Sequence, residues 1–149
     1  MSDDTKISYA LNQIIAPKSS FIDLINLAKS AGVLAIEIRN DIPVNLIEEN
    51  KPKIIKTLSE SNSIKILTVN ALQKFNLWNE ERLNELVELC KFSSLAGVEA
   101  IVLVPLNDGS VTDDIEQREL LGNSLKEIVK VLRDFDLLGY VEPLGFETS

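Results

Sequence analysis

The sequence predicts an α/β protein in which parallel β-strands alternate with α-helices. Five short apolar runs are separated by longer segments in which apolar residues recur at helical spacing. The runs are nearly continuous rather than alternating, which is typical of strands buried on both faces. Strict alternation of strand and helix requires a helical crossover between successive parallel strands. The predicted strands cover residues 7–15, 33–38, 64–69, 98–104 and 140–144.

Four helical segments connect these strands, and several of their ends carry capping residues. Ser20 heads a capping box and predicts the start of the first helix. The second segment covers residues 45–61, and Pro52 divides it because proline breaks a helix interior. Asn79 caps the third segment, and Gly97 follows its end. The fourth segment lies between the last two strands.

Composition indicates a single domain that binds neither nucleic acid nor a membrane. The 149 residues carry a formal net charge of −8 without a basic stripe, whereas phosphate backbones are bound by clustered Lys and Arg. No apolar run approaches the ~20 residues that span a bilayer. The single cysteine, Cys90, cannot form an internal disulfide, which favours a reducing, cytoplasmic setting. Its place on the apolar face of a helix predicts a core position.

The chain contains no histidine. This excludes Ser-His-Asp and Cys-His nucleophile systems, and His-rich zinc sites, within these residues. Any metal bound here needs oxygen ligands, or ligands from other sequence.

Two α/β architectures compete for this pattern. Five strands in this length suit a flavodoxin-like open sheet, whereas a TIM barrel has eight β/α units and about 250 residues. The loop 12–20 has no glycine for close approach to a phosphate, and Asn12 and Asn70 stand where a receiver domain needs acids. No helix follows the fifth strand to cover it. We therefore predict (β/α) repeats of a TIM barrel, with about five strands and four helices, that stop before the barrel closes. The strands should lie in the order 1-2-3-4-5.

Three segments carry a more specific resemblance. They are residues 70–78 (NALQKFNLW), 102–109 (VLVPLNDG) and 141–146 (VEPLGF). They resemble xylose isomerase-like TIM barrels, a group with sugar phosphate isomerases, epimerases, hydroxypyruvate isomerase-like enzymes and inositol-catabolism proteins. The resemblance covers residue 7 to the end and implies the N-terminal half of such a barrel. It also implies isomerisation or epimerisation of a small hydroxy-carbonyl compound through an enediolate, with a divalent cation (Mn, Mg, Co or Zn).

Glu142 is the strongest candidate for chemistry. An acid inside an apolar strand is costly to bury unless it is paired or bound to a metal, and TIM-barrel active sites lie where strands end. The resemblance implies that Glu142 is a catalytic metal ligand, in a site completed by acids and a His from later strands. The catalytic base would also come from those strands. The alternative is a structural acid that pairs with Arg39 or Lys65.

Other side chains at the strand ends are candidates for substrate binding. Glu37 and Arg39 should both point into the barrel because they alternate with apolar neighbours, and a structural ion pair between them is the alternative. Trp78, with Phe75, is either a wall against the substrate or a lid on the core. Asn107 is either a substrate contact or part of a turn. The predicted substrate-binding set is Asn12, Glu37, Arg39, Asn70, Trp78 and Asn107.

An incomplete barrel leaves open sheet edges, which predicts a homo-oligomer. The expected ligand is a small sugar-like molecule, and the 149-residue chain by itself is expected to be inactive. Two other hypotheses are a non-catalytic half-barrel and a flavodoxin-like module that binds a small ligand.

Overall fold

A computed structural model describes residues 8–106, 108 and 113–142 of the chain. Within this part, strands and helices alternate as predicted, and no helix is both long and apolar enough to cross a membrane. The elements are β1 (Leu11–Asn12), a 3-10 helix (Gln13–Ile15), α1 (Phe21–Ser30), β2 (Ala35–Arg39), α2 (Leu46–Glu49), α3 (Pro52–Ser61), β3 (Lys65–Gln73), α4 (Glu80–Ala96), β4 (Ala100–Val104), α5 (Asp114–Asp134) and β5 (Leu138–Val141).

The five strands form one sheet in the order β1-β2-β3-β4-β5. Every neighbouring pair is parallel, and each strand from β2 onward pairs with the strand that precedes it in the chain. A flavodoxin-like sheet would instead reverse its order at a switch point. The predicted strand order is therefore confirmed, and the architecture is that of an α/β half-barrel.

The main hydrophobic core lies between this sheet and its helices. Ile36 and Ile38 of β2 and Leu103 of β4 point to the helical side, where they join buried residues of α1, α3, α4 and α5. Alternation along each strand sends the intervening side chains to the opposite face. A smaller apolar cluster forms on that face. It comprises Ala71, Val102 and Val104.

The helix ends follow the predicted capping chemistry. The Ser20 hydroxyl accepts a hydrogen bond from the Asp23 backbone N–H at 3.3 Å, and the Asn79 side chain accepts one from Arg82 N–H at 2.9 Å. After α4, Gly97 adopts a left-handed conformation with φ of 75°, which glycine tolerates best. The second crossover is divided into α2 and α3, with proline in the first turn of α3.

The first strand is shorter than predicted. It ends at Asn12, and the following residues turn into a 3-10 helix. The Asn12 Oδ1 atom accepts a hydrogen bond from Ile14 N–H at 2.9 Å, a local bond that competes with continued strand pairing. Ile14 and Ile15 are consequently exposed, although their apolar character predicted burial in a strand. The prediction of strand structure at residues 8–10 and beyond Asn12 was wrong.

The third and fifth strands also differ from the predicted bounds. β3 runs on to Gln73, so Asn70 lies inside the strand rather than after it. β2 pairs with β3 as far as Asn70, and β4 pairs with the added residues Leu72 and Gln73. β5 begins at Leu138, two residues earlier than predicted, and residues 143–144 of the predicted run lie outside the described residues.

Candidate functional site

Polar side chains gather on the face of the sheet opposite the helices, near the C-terminal ends of the strands. Glu37 is the centre of one group. One of its carboxylate oxygens accepts a hydrogen bond from the Asn12 side-chain amide, and the other accepts one from the Thr68 hydroxyl. The register places Glu37 beside both residues, one on each neighbouring strand. Both carboxylate oxygens of Glu37 are thus already bonded within the protein.

Asn12 is similarly committed. Its amide nitrogen donates to Glu37, and its oxygen caps the 3-10 helix through Ile14 N–H. The structure therefore brings the predicted residues Asn12 and Glu37 together, but each uses its polar atoms to hold the ends of β1 and β2.

Arg39 forms a two-pronged ion pair with Asp41. Its Nε donates to one carboxylate oxygen at 2.8 Å, and an η nitrogen donates to the other at 2.6 Å. This hydrogen bonding raises the pKa of the Arg39 guanidinium above its usual value, with further increases from the charges of Asp41, Glu37 and Glu142 and an opposing effect of burial. The alternative prediction of an ion pair between Glu37 and Arg39 was wrong, because Arg39 pairs with Asp41, two residues further along the chain and beyond the end of β2.

Glu142 and Asn70 form the second group. The Asn70 amide nitrogen lies 3.4 Å from a carboxylate oxygen of Glu142, a long hydrogen bond between β3 and the residue that follows β5. Asn70 is almost fully buried, and Glu142 is half-buried. The alternative partners of Glu142 are engaged elsewhere, since Arg39 pairs with Asp41 and Lys65 pairs with Glu99. Within the described chain, Glu142 has no ion pair with either cation.

The aromatic residues after β3 serve the core. Phe75 is completely buried within the main hydrophobic cluster, and Trp78 is partly buried and packs against the same cluster. This supports the interpretation of both residues as a lid on the core. Asn107 lies outside the described residues.

Two amide side chains that hold the site, one buried and one half-buried, were not in the predicted set. Gln13 is fully buried; its oxygen accepts from Arg39 N–H at 2.8 Å, and its nitrogen donates to the Val44 carbonyl at 3.1 Å. Asn40 bonds both the N–H and the carbonyl of Ala71, at 2.7 Å and 3.0 Å. The sequence offered a signal for both: Gln13 stands within an apolar run and Asn40 stands directly after a strand, where an amide side chain is expected to hydrogen-bond to the backbone.

Cys90 is buried in the core as predicted. Burial raises the pKa of its thiol to about 12, so the group stays protonated and unreactive at neutral pH. It takes no part in the polar site.

The described residues do not form a complete metal site by themselves. Within residues 8–106, 108 and 113–142, no three His, Cys, Asp or Glu side chains are grouped to hold an ion. The Glu142 carboxylate and the Asn70 amide oxygen are suitable donors for a divalent cation, but such ions take about six oxygen ligands. The donor chemistry fits a metal, and the number of donors does not.

Neither family models nor curated protein sequences match this chain. Solved structures do match it. A xylose isomerase domain containing protein from Salmonella typhimurium LT2 is 30% identical, with a TM-score of 0.84 over 94% of this chain and 50% of that one. The chain has the fold of half a xylose isomerase-like TIM barrel.

Other solved structures extend this likeness at the level of fold. The IolI protein, solved with a zinc atom, is 20% identical and has a TM-score of 0.78 over 91% of this chain and 51% of that one. The 3-keto-D-glucoside 4-epimerase YcjR from E. coli is 18% identical, with a TM-score of 0.71 over 94% of this chain and 57% of that one. The chain therefore spans about half the length of these three solved structures, in agreement with an N-terminal half-barrel.

Proposed function

We propose that this chain is the first half of a sugar isomerase or epimerase that acts on a small hydroxy-carbonyl compound. The observation that carries the proposal is the position of Glu142 beside buried Asn70, where the strands of a parallel half-barrel end. TIM-barrel enzymes place their catalytic groups at this end of the sheet. Matched structures include an epimerase, a D-tagatose 3-epimerase-like protein and a probable 3-DHS dehydratase, all of the same fold.

Glu142 is the residue of this half that would meet the substrate or its metal. It is half-buried, and among the described residues only one of its carboxylate oxygens accepts a hydrogen bond, from Asn70, while Arg39 and Lys65 pair with other acids. Asn70 would orient that carboxylate through its amide nitrogen. Asn12, Glu37 and Arg39 would act as the frame of the site. The Asn12 side chain already binds Glu37, and the Arg39 side chain binds Asp41.

A divalent cation is part of the proposal, with Glu142 as one ligand and the remaining ligands from outside the described residues. The zinc atom of the IolI structure supports the choice of a divalent ion. Such an ion would supply polarisation of carbonyl and hydroxyl oxygens. Calorimetric titration of the completed barrel with Mn2+, Mg2+, Co2+ and Zn2+ in turn would identify the ion.

The test uses a completed barrel, in which the chain is fused to the second half of the Salmonella relative. Proton abstraction next to a carbonyl is followed by NMR as deuterium uptake from D2O into D-tagatose and other unphosphorylated ketoses. Calorimetry measures binding of Zn2+ and Mn2+. Glu142→Gln keeps size and shape, and should lower deuterium uptake by roughly 10²–10³-fold, because it removes a charged ligand of the ion that would polarise the substrate. It should also weaken metal binding.

Asn70→Ala should have a smaller effect, about 10-fold, because it removes only the group that orients Glu142. The control is Glu49→Gln, which removes an exposed carboxylate from α2 and should change neither readout. A folded Glu142→Gln barrel with unchanged deuterium uptake and metal affinity would refute the role of Glu142. A completed barrel that takes up no deuterium in any tested ketose would refute the proposed activity.

A further inference from the structure

An irregularity of the β-bulge type interrupts β3 beside the candidate site. The pairing of β3 with β4 shifts register between Asn70 and Leu72, so Ala71 has no partner residue on β4. Pairing with β2 ends at Asn70. The extra residue of a bulge drops out of the ladder of backbone hydrogen bonds. Ala71 is nevertheless completely buried, so its backbone N–H and carbonyl need partners from elsewhere.

Asn40 supplies both partners. Its side-chain oxygen accepts a hydrogen bond from Ala71 N–H at 2.7 Å, and its side-chain nitrogen donates to the Ala71 carbonyl at 3.0 Å. An amide side chain carries the same donor and acceptor as a peptide group, so Asn40 replaces a neighbouring strand where β2 has ended. The Asn40 N–H donates to the Asn70 carbonyl at 3.0 Å, and the Asn40 carbonyl accepts from the side chain of Asn45, the N-cap of α2, at 3.2 Å. Asn40 thus joins the bulge to the start of α2.

The bulge changes the direction in which the side chains of β3 point. Successive side chains of a regular strand point to opposite faces. Val69 and Leu72 lie in the main core on the helical side. Between them, Asn70 points to Glu142 and Ala71 belongs to the small apolar cluster, so both lie on the face opposite the helices. The extra residue therefore lets β3 turn the Asn70 amide to Glu142 and still return Leu72 to the core.

We infer that Asn40 is a positioning residue, which fixes the β3 bulge and through it aims Asn70 at Glu142. Without the Asn40 amide, the buried backbone groups of Ala71 lose their partners, and leaving such groups unpaired is costly. β3 then has to rearrange around Ala71, which moves Asn70. The effect on catalysis rests on the proposed function, whereas the geometry of the bulge can be tested without it.

Amide hydrogen exchange in the 149-residue chain tests the link from Asn40 to the bulge. In Asn40→Ala the Ala71 amide should exchange at least about 10-fold faster than in the wild type, because it loses its acceptor. The Lys65 amide, which begins the same strand and is bonded to a backbone carbonyl, should change much less. The control is Asn62→Ala, which removes a side-chain amide bonded to a carbonyl of α3 at 2.9 Å. It should leave exchange at Ala71 as in the wild type.

The side-chain amide resonances of Asn70 report its position. Glu142→Gln should shift them in the wild-type background, because the Asn70 nitrogen lies 3.4 Å from the Glu142 carboxylate. In the Asn40→Ala background the same change should shift them at least about 2-fold less. Asn40→Asp keeps an oxygen for Ala71 N–H but sets a carboxylate against the Ala71 carbonyl. It should therefore give smaller changes in the same direction, and it decides the test if Asn40→Ala does not fold.

Deuterium uptake by the completed barrel shows whether Asn40 acts through Asn70. Asn40→Ala should lower the uptake about 10-fold, as Asn70→Ala does. The double variant should also lower it about 10-fold rather than about 100-fold, because two residues that act as one unit are not additive. Asn62→Ala should leave the uptake unchanged.

An Ala71 amide that exchanges no faster in Asn40→Ala than in the control variant would overturn the inference. An Asn70 response to Glu142→Gln that stays unchanged in both Asn40 variants would overturn it as well. Equally faster exchange at Ala71 and Lys65 would mean that Asn40 supports only overall stability, and multiplicative losses of uptake would mean that it does not act through Asn70; either result is a refutation. A completed barrel without any uptake would contradict the proposed activity alone, since the exchange and resonance measurements do not depend on it.

Discussion

Replacement of Gln13 by leucine should destabilise the chain by about 2–4 kcal/mol. Gln13 is fully buried, and its side chain joins the backbone of β2 at Arg39 to the loop at Val44. Leucine has a similar volume, so the change removes hydrogen bonds without opening a large cavity. Each lost bond costs about 1 kcal/mol, and a buried backbone group left without a partner costs about 1–3 kcal/mol.

Urea denaturation followed by circular dichroism measures this change. With a slope of about 2 kcal/mol per molar urea, the midpoint should fall by about 1–2 M. The amides of Leu11 and Asn12 should also exchange faster, because β1 pairs with β2 through only these two residues. Local loss of β1 should thus accompany the global effect.

Thr57→Val is the matched control, since it removes a side-chain-to-backbone hydrogen bond of similar length, 2.9 Å, at an exposed helix position. Water replaces that bond in the variant, so the midpoint should shift by less than about 0.3 M. A Gln13→Leu midpoint no lower than that of Thr57→Val would refute the reasoning. It would mean that the two backbone groups near Gln13 find other partners.

Three further predictions concern packing and ionisation. Gly139→Ala should destabilise the protein by about 1–3 kcal/mol in urea titrations, because the added methyl group would meet two leucine side chains, one of them at 2.8 Å. Gly122→Ala should instead stabilise it by about 0.5–1 kcal/mol, because this glycine lies in a helix with open space around it. The Cys90 thiol should resist Ellman's reagent at pH 8 until the protein unfolds. Because its pKa is about 12 in the folded protein and about 9 in the unfolded chain, the free energy of unfolding should fall as pH rises from 9 toward 12. Cys90→Ala should lessen that fall. The hydrogen bond from Lys65 lowers the pKa of Glu99, so the NMR titration of Glu99 should shift to higher pH in Lys65→Met. The stabilisation that this hydrogen bond gives is present above the ordinary pKa of a glutamate and is lost as pH falls through the lowered pKa.

The order of the elements was predictable because it depends on local patterns. Apolar runs, helical spacing and capping residues such as Ser20 and Asn79 act over a few residues, and the structure confirms both caps. The parallel order followed, since each helix must return the chain to the same end of the sheet. The resemblance carried by a few segments also identified the fold to which solved structures are similar.

The ends of the strands were less predictable because they depend on competition between local and distant bonds. Apolar Ile14 and Ile15 indicated a continued strand, but the Asn12 side chain turned the chain into a 3-10 helix. β3 extended past Asn70 because β4 pairs with Leu72 and Gln73. A partner on another strand cannot be located from the sequence near the strand itself.

The amino-acid sequence by itself determined the alternation of strands and helices, the acidic charge and the identity of Glu142 as a polar residue at the end of a strand. Only the tertiary structure decided which polar groups remain for chemistry. It joined Glu37 to Asn12 and Thr68, Arg39 to Asp41, and Glu142 to Asn70. Apart from the local pair of Arg39 and Asp41, these bonds link residues that belong to different strands or strand ends, so they depend on register and curvature, which the whole sheet sets together.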